Sequence, residues 1–402
     1  MFMRALRLSN CLLVLAVFYA GDSTATAKSQ DTSIQQLFGK VTDAESGLPI
    51  TGVQVFYSGT TIGDVTDQGG IFELPNPPVT QIIVVFSMLG YEVLSVAVNA
   101  RTRQSGELNI ALKTSIIGLD GVIVSADRDT IWEQNLKRFE DVLFSNTSFG
   151  KSCWIDNAFS VILNYDTETE ILSATASEPL IIINPKLGYR VTLHDFSLGS
   201  RGARYHWEGA PQFEELDSDG GKKTKGWYKN RRKAYYGSAR HLLKSFIDAD
   251  LKKSGFYVYY VFDPGHMNKD FPVAELISTE LDTLEISERT IIPTGQDGLF
   301  LFQPHRTLYV QYGKEAVARE FDSVRAAPRY YPRYYRTPRT RVQTVAPLQL
   351  SWIDITVGSL FVDYHGNLLV EGAGFPIKTY GYMAWERLGE LLPFDYNPDP
   401  DD

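Results

Sequence analysis

Between residues 37 and 112 apolar and polar side chains alternate with a period of two, in short runs bounded by Gly, Asp and Pro. The runs are Leu37 to Thr42, Gly52 to Tyr57, Thr61 to Val65, Ile71 to Leu74, Gln81 to Ser87, Tyr91 to Val98 and Glu107 to Leu112. That periodicity predicts strands and turns. Seven of them within about 80 residues predict a small β-sandwich, with Val53, Val55, Phe72, Val84, Phe86 and Leu94 in its core. Asp67-Gln68-Gly69-Gly70 and Leu89-Gly90-Tyr91 read as turns in which glycine takes positive φ. Asp43, Asp64 and Asp67 could be imagined as calcium ligands, but short aspartates at turns more often bond their own backbone.

Past residue 125 the pattern changes. Thr130 to Phe144 carries Ile131, Leu136, Phe139, Leu143 and Phe144 at helical spacing, with Asp129 or Thr130 to cap the first turn. Strands are expected at Phe159 to Tyr165, Ile171 to Ser177, Leu180 to Asn184 and Gly188 to Phe196, as an antiparallel meander. A second helix is expected from Ala239 to Lys253, with Ser238 as N-cap, Gly255 just past its end and Leu242, Leu243, Phe246, Ile247 and Leu251 as its buried stripe. Further strands follow at Phe256 to Phe262, Glu285 to Ile292, Leu299 to Phe302, Thr307 to Tyr312 and Leu348 to Val357. A hairpin from Phe361 to Val370 turns at His365-Gly366-Asn367, and a last helix, Met383 to Leu391, is stopped by Pro393. The expected fold class is mostly β: a sandwich followed by a mixed, mainly antiparallel β domain with a few helices.

The N-terminus has the form of an export signal: Arg4 and Arg7, the apolar run Cys11 to Ala20, then Ala25-Thr26-Ala27. Ten apolar residues fall short of the ~20 needed to span a bilayer, and Cys11 lies inside the run rather than at its end, which argues against a lipoprotein. The expected organisation is a signal peptide at 1–27, the sandwich at 35–125 and a mixed α/β domain at 130–400. No later stretch reads as a transmembrane helix. The chain of 402 residues has 39 Lys plus Arg against 48 Asp plus Glu, a net charge of -9 that disfavours general nucleic-acid binding. Its two cysteines, Cys11 and Cys153, allow neither a disulfide framework in the exported chain nor a structural zinc site.

The run FGKVTDAESGLPITGVQVFYSGTTIGDVTDQGGIFEL, followed by FSMLGYE, resembles the carboxypeptidase-like regulatory domain, a transthyretin-like β-sandwich. The shared features are Gly39-Lys40-Val41-Thr42-Asp43, Pro49 to Val55, Thr66 to Phe72 and Gly90-Tyr91. This resemblance implies a non-catalytic module, often fused to TonB-dependent transporters or envelope proteins of Gram-negative bacteria. The rest resembles the C-terminal portion found behind the same sandwich in a group of uncharacterised envelope proteins. Four stretches carry that likeness: Ser145 to Lys151 with Cys153; Ser177 to Ile182 with Asn184 and Leu187-Gly188-Tyr189; Trp227 to Leu243; and Ala384 to Tyr396. It implies an architecture and an exported location, but no reaction.

Candidate chemistry is sparse. A zinc carboxypeptidase needs two histidines and a carboxylate converging on one ion. None of His194, His206, His241, His266, His305 or His365 has Glu or Asp three residues on, and no H-x-x-x-H occurs. His206-Trp207-Glu208 reads as a solvent-facing stretch. Neither a G-x-S-x-G elbow nor a phosphate loop is present. Cys153 reads as a partly buried structural thiol, with only Lys151 nearby to lower its pKa. Glu386 with Arg387 reads as a capping or ion-pair device for the last helix. No cofactor and no metal is expected.

Charge is segregated. Lys222 to Lys244 holds nine Lys or Arg and no acid, with Trp227, Tyr228, Tyr235 and Tyr236; Trp227 and Tyr235 are expected in the core and the lysines in water. Ser323 to Ile353 holds six Arg, with Arg329, Tyr330, Tyr331, Arg333, Tyr334 and Arg336 as candidate ligand-binding residues. Arg with Tyr suits phosphate, carboxylate or sugar faces; a proline-stiffened exposed loop without a ligand is the plainer alternative. The expected function is a non-catalytic envelope protein, periplasmic or peripheral to the outer membrane, that binds a partner protein or an anionic glycan and no nucleic acid. The alternative is a hydrolase of unrecognised type. An outer-membrane barrel would need long strands with apolar outer faces throughout, and the expected helices disfavour it.

Overall fold

All seven sandwich strands are present. The computed structural model describes residues 36–77, 81–98, 106–115, 130–202, 204–218, 220–260, 290–296, 298–324, 348–355, 358–369 and 377–398. The strands are β1 (Leu37–Asp43), β2 (Gln54–Tyr57), β3 (Gly63–Val65), β4 (Ile71–Leu74), β5 (Ile82–Ser87), β6 (Leu94–Val98) and β7 (Ile110–Leu112). They form sheets of order β4-β1-β7 and β3-β2-β5-β6, antiparallel except for β1 with β7. Between them lie Leu37, Val41, Val53, Val55, Phe72, Leu74, Val84 and Phe86, all buried, with Phe72 edge-on to Phe86 at 5.4 Å. Burying each such side chain contributes about 1.5–3 kcal/mol. Leu94, near the edge of its sheet, is only half-buried. The aspartates act as turn residues: Asp67 Oδ1 accepts from the N–H groups of Gly69 and Ile71, and Asp43 Oδ1 from those of Glu45 and Ser46.

Alternation fails in one hairpin. In β2, Val55, Phe56 and Tyr57 are buried in succession, and β5 buries both Val84 and Val85. Phe56 pairs with Val85 across the ladder, on the sheet's outer side. That side is covered by the following part of the chain, where the His194 ring lies 4.7 Å from Phe56. A strand covered on both faces reads as a continuous apolar run.

The second part begins with α1 (Thr130–Phe144), found where the periodicity predicts it. It packs Phe139, Leu143 and Phe144 on a sheet, with Phe139 5.9 Å from Phe196. Ile131 is 74% exposed, against expectation; five residues before Leu136, it lies off the stripe. The sheet comprises β8 (Trp154–Ile155), β9 (Val161–Asp166), β10 (Ile171–Ala176), β11 (Leu180–Asn184), β12 (Tyr189–Arg201) and β13 (Arg204–Glu215). The strand expected from Gly188 to Phe196 runs on to Arg201, and β13 was not foreseen in the pattern. β12 pairs with β11 over its first half and β10 over its second, while β13 follows it along the other edge. A bulge between His194 and Ser197, with Asp195 at φ 52°, bends this hairpin.

Next come α2 (Lys222–Tyr235), α3 (Ala239–Ile247) and α4 (Leu251–Ser254). Ser238 caps α3, its hydroxyl accepting from His241 N–H, and Gly255 ends α4 at φ 98°. The single helix expected from Ala239 to Lys253 is broken at Ala249, whose φ is 53°. Asp248 and Asp250 set negative charge against the negative end of α3, which disfavours continuing it.

The remainder runs β14 (Phe256–Tyr260), β15 (Ile291–Pro293), β16 (Leu299–Phe302), β17 (Leu308–Ala316), α5 (Arg319–Val324), β18 (Leu348–Ile355), β19 (Leu360–Asp363), β20 (Leu368–Leu369), β21 (Ile377–Gly381) and α6 (Tyr382–Trp385). The sheets have orders β14-β17-β18-β21 and β15-β16-β19-β20. Leu242, Leu243 and Phe246 of α3 bury against them, and Gly366 turns the expected hairpin at φ 86°. The helix expected from Met383 to Leu391 is instead α6 and a separate 3-10 turn, Leu388–Glu390. No helix among the described residues is long and apolar enough to cross a membrane.

Candidate functional site

The four stretches singled out in the C-terminal part converge in one place. Gly188, at φ 73°, lies flat against Trp227, so that a Cβ there would come within 2.2 Å of the indole. The same indole donates to Pro185 O at 2.8 Å, and Asn230 Nδ2 donates to Lys186 O at 2.8 Å. Arg231, buried, donates through Nε to Leu187 O (2.8 Å) and through Nη1 to Glu215 Oε1 (2.6 Å), with its guanidinium 4.0 Å over the Tyr189 ring. Asn184 Nδ2 donates to Gly389 O at 2.8 Å, and Trp385 Nε1 donates to Asn146 Oδ1 at 2.5 Å.

Residues 393–398 run across this junction as a strap. The Arg240 guanidinium gathers three of its carbonyls, Pro393 O at 2.8 Å, Phe394 O at 2.9 Å and Tyr396 O at 2.6 Å. From there the strap reaches the sandwich. Phe394 N–H donates to Gly59 O at 2.6 Å, and the Asp395 carboxylate accepts from the backbone N–H and hydroxyl of Thr61. On its other side the same β2–β3 loop is held by β13, Gly59 N–H donating to Pro211 O and Phe213 N–H to Thr60 O.

A cleft of about 190 Å³ opens where α2, the β8–β13 sheet, the strap and Thr61 meet. Its lining includes Tyr228, Arg231 and Arg232 from α2, Glu215 from β13, and Asp395 and Tyr396 from the strap. Arg231 is fixed by Glu215, and Asp395 is turned to Thr61. Arg232 is exposed and makes no ion pair among the described residues. Burial pushes the Tyr396 phenol up to about 12 although guanidiniums flank it, so it is a neutral hydroxyl at ordinary pH.

Behind the junction lies a group of acids. Burial raises the Glu390 carboxyl to about 8; Thr147 partners it, while Oε2 has no hydrogen-bond partner. Glu386 is raised well above its usual range by burial and by Glu390 and Glu315. Arg387 does not pair with Glu386 as expected. It donates to Asp141 O and Val142 O at the C-terminal end of α1 and lies 4.2 Å over Tyr205, closing a neighbouring helix rather than its own. Burial also pushes the Cys153 thiol up to about 12, an environment that opposes thiolate formation.

Within the first basic patch Trp227 and Tyr235 are buried, and Lys222, Lys223, Lys225, Lys229, Arg232 and Lys233 are exposed, as expected. The structural roles of Arg231 and Arg240 were not foreseen. The signal at the N-terminus and Arg329, Tyr330, Tyr331, Arg333, Tyr334 and Arg336 lie outside the described residues. The histidines are dispersed: His194 Nε2 meets Gln212 Oε1 at 3.0 Å, His241 Nδ1 accepts from Gly237 N–H, and His206 is exposed in β13.

Residues 37–124 match the CarboxypepD_reg-like domain family model. Over 80 residues, 20% of this chain, the sequence is 36% identical to a TonB-dependent receptor of Formosa agariphila, and the match spans 7% of that receptor's length. Among solved structures, a Bacteroides fragilis protein of unknown function aligns at 10% identity and a TM-score of 0.15, covering 46% of this chain and 83% of that one. A 9R-lipoxygenase from Cyanothece aligns at 9% identity and a TM-score of 0.14, covering 55% and 48%.

Proposed function

Taking the CarboxypepD_reg-like domain at residues 37–124 as the premise, we propose that this chain is an exported, non-catalytic protein of a bacterial envelope that binds an anionic glycan. The likeness to a TonB-dependent receptor over the sandwich and the export-type pattern at residues 1–27 support the location. The observation that carries the binding role is the exposed basic face of α2, which stands beside the cleft on a chain that is acidic as a whole. A cation row on an acidic molecule attracts polyanions locally while leaving the rest of the surface to repel them. Arg329, Arg333 and Arg336, with Tyr330, Tyr331 and Tyr334, are proposed as a second contact of the same chemistry.

Retention on isolated envelopes tests this. The protein is expected to bind, to elute as salt rises, and to be competed off by soluble acidic polysaccharide but not by a neutral one. Retention that resists salt and is abolished by protease treatment of the envelopes would assign the surface to a partner protein instead.

A further inference from the structure

The cleft beside α2 has a charge balance that can be counted residue by residue. Two guanidiniums and two carboxylates line it. Arg231 and Glu215 cancel each other at 2.6 Å, with Arg231 further held by two backbone carbonyls. Asp395 accepts from the Thr61 N–H and hydroxyl and keeps its charge, so the lining sums to zero and an anion is drawn to the Arg232 side, where the exposed Lys229 stands one helical turn before it on α2. What remains for a ligand is one cation, Arg232, and the phenols of Tyr228 and Tyr396, whose hydroxyls make no protein hydrogen bond among the described residues. Tyr228 is 46% exposed, so its ring face is open to a ligand.

Size and polarity narrow the occupant. At about 190 Å³, the cleft is smaller than the ~300–1,000 Å³ of sites for drug-sized ligands, so it suits one ring rather than an extended chain. One unpaired guanidinium asks for one carboxylate or phosphate oxygen pair, because the planar fork engages such groups bidentately. The exposed Tyr228 ring offers a flat apolar face, and the half-buried Tyr396, its ring packed toward Tyr235, offers its hydroxyl as donor and acceptor; together they match a pyranose, whose C–H face stacks while its rim hydroxyls need both roles. The lining comes from separate parts of the chain, Thr61 from the sandwich, Tyr189 and Glu215 from the β8–β13 sheet, Tyr396 from the strap. The site therefore exists only in the assembled molecule.

We propose that this cleft binds a single carboxylate-bearing sugar ring, a uronic-acid unit of an acidic glycan, with Arg232 holding the carboxylate and Tyr228 and Tyr396 the ring. The assignment rests on the anionic-glycan reading above and names its site.

Calorimetric titration and saturation-transfer NMR of the full chain with sodium D-galacturonate and D-glucuronate, against D-galactose and D-glucose, test it. The uronates are expected to bind at least about tenfold more tightly than the neutral sugars, the scale of one charge-assisted hydrogen-bonded pair. Arg232→Gln is expected to abolish that preference, and Tyr228→Ala to weaken all four sugars alike. Both side chains are exposed, so unchanged circular dichroism and melting are expected for each variant. Equal binding of charged and neutral sugars, an unaltered preference in Arg232→Gln, or no signal up to the solubility of the sugars would overturn the proposal. So would tighter binding of an acetylated dipeptide with a free carboxylate, which would make the cleft a peptide-terminus site. Loss of uronate binding with salt-sensitive envelope retention intact would sink this site alone and leave the broader glycan reading standing.

Discussion

Gly150 and Gly389 meet backbone against backbone: a Cβ on Gly389 would fall 2.6 Å from Gly150 Cα. The two belong to segments separated by most of the second part of the chain, one following α1 and the other in the last 3-10 turn. A Cβ on Gly150 would in turn lie 2.0 Å from Phe144 O. Neither position is at positive φ, so space rather than backbone conformation demands glycine at both. Gly389→Ala is expected to cost about 1–3 kcal/mol, the usual range for overpacking, and Gly150→Ala at least as much because its main-chain clash is the closer of the two. Urea titration followed by near-ultraviolet circular dichroism measures both. A change within ~0.5 kcal/mol, as for an exposed site, would show that the two loops separate freely.

Arg240 ties the strap to α3, and the strap ties α3 to the sandwich loop at Gly59 and Thr61. Arg240→Ala removes the donor that three strap carbonyls share; Pro393 O keeps the Tyr396 N–H and Phe394 O keeps Asn367 Nδ2, whereas Tyr396 O loses the one donor found for it among the described residues, at a cost of about 1–3 kcal/mol. Lys supplies a single ammonium where the fork spans three acceptors, so Arg240→Lys is expected to recover only part of the loss. Hydrogen exchange is the readout. Amides of 394–397 and of 58–62 are expected to lose protection together in Arg240→Ala, while those of β1 and β5 keep theirs. Loss confined to 394–397 would show that the sandwich loop is held by β13 alone.

Within the sandwich, Phe72 is 1% exposed and meets Phe86 edge-on. Phe72→Ala is expected to cost about 3–5 kcal/mol through lost burial and the cavity left behind. Phe56→Ser should behave differently. Its ring faces His194 rather than the sandwich core, so the substitution is expected to loosen the sandwich from the second part while the β spectrum persists. Limited proteolysis at residues 113–130 reads that loosening, and an unchanged cleavage rate would contradict it.

How far the sequence could be read follows from the range of the forces involved. Alternation reports one strand and its nearest sheet, so the strands of the sandwich and five of its six expected core residues were legible, whereas Phe56 and Val85 took part in a burial set by residues over a hundred positions away. Turn chemistry was legible for the same local reason at Gly70, Gly90 and Gly366. The cleft was not. Its parts carry no shared spacing, since Thr61, Tyr189, Arg231 and Tyr396 meet only through folding. The lysine-rich stretch 222–235 hid a helix because its apolar stripe is thin, Trp227, Ala234 and Tyr235, and its buried member Arg231 has the appearance of a surface residue. A buried guanidinium is legible only once the carbonyls that satisfy it are placed.

Glu390 makes stability depend on pH in a direction that can be stated. Its folded carboxyl titrates near 8, above the usual 4.5, so between these values the native state holds a proton that the unfolded chain has released. Stability then falls as pH rises through that window and levels off above it. His241 works the other way lower down: burial depresses it from 6.5 to about 4, so its contribution rises with pH between those values and is complete by 6.5. The interval from pH 6.5 to 8 isolates the acid, and over it the loss due to Glu390 is at most about 2 kcal/mol. Glu386, raised by the same burial and by Glu390 itself, pushes the same way. Glu390→Gln keeps an acceptor for the Thr147 hydroxyl and removes the titration. Denaturant midpoints at pH 6.5 and 8 should therefore lie closer together in the variant than in the parent, the remaining difference being that of Glu386. An equal loss in both proteins would place the proton elsewhere, on Glu386 first, and Glu386→Gln would then carry the flattened profile.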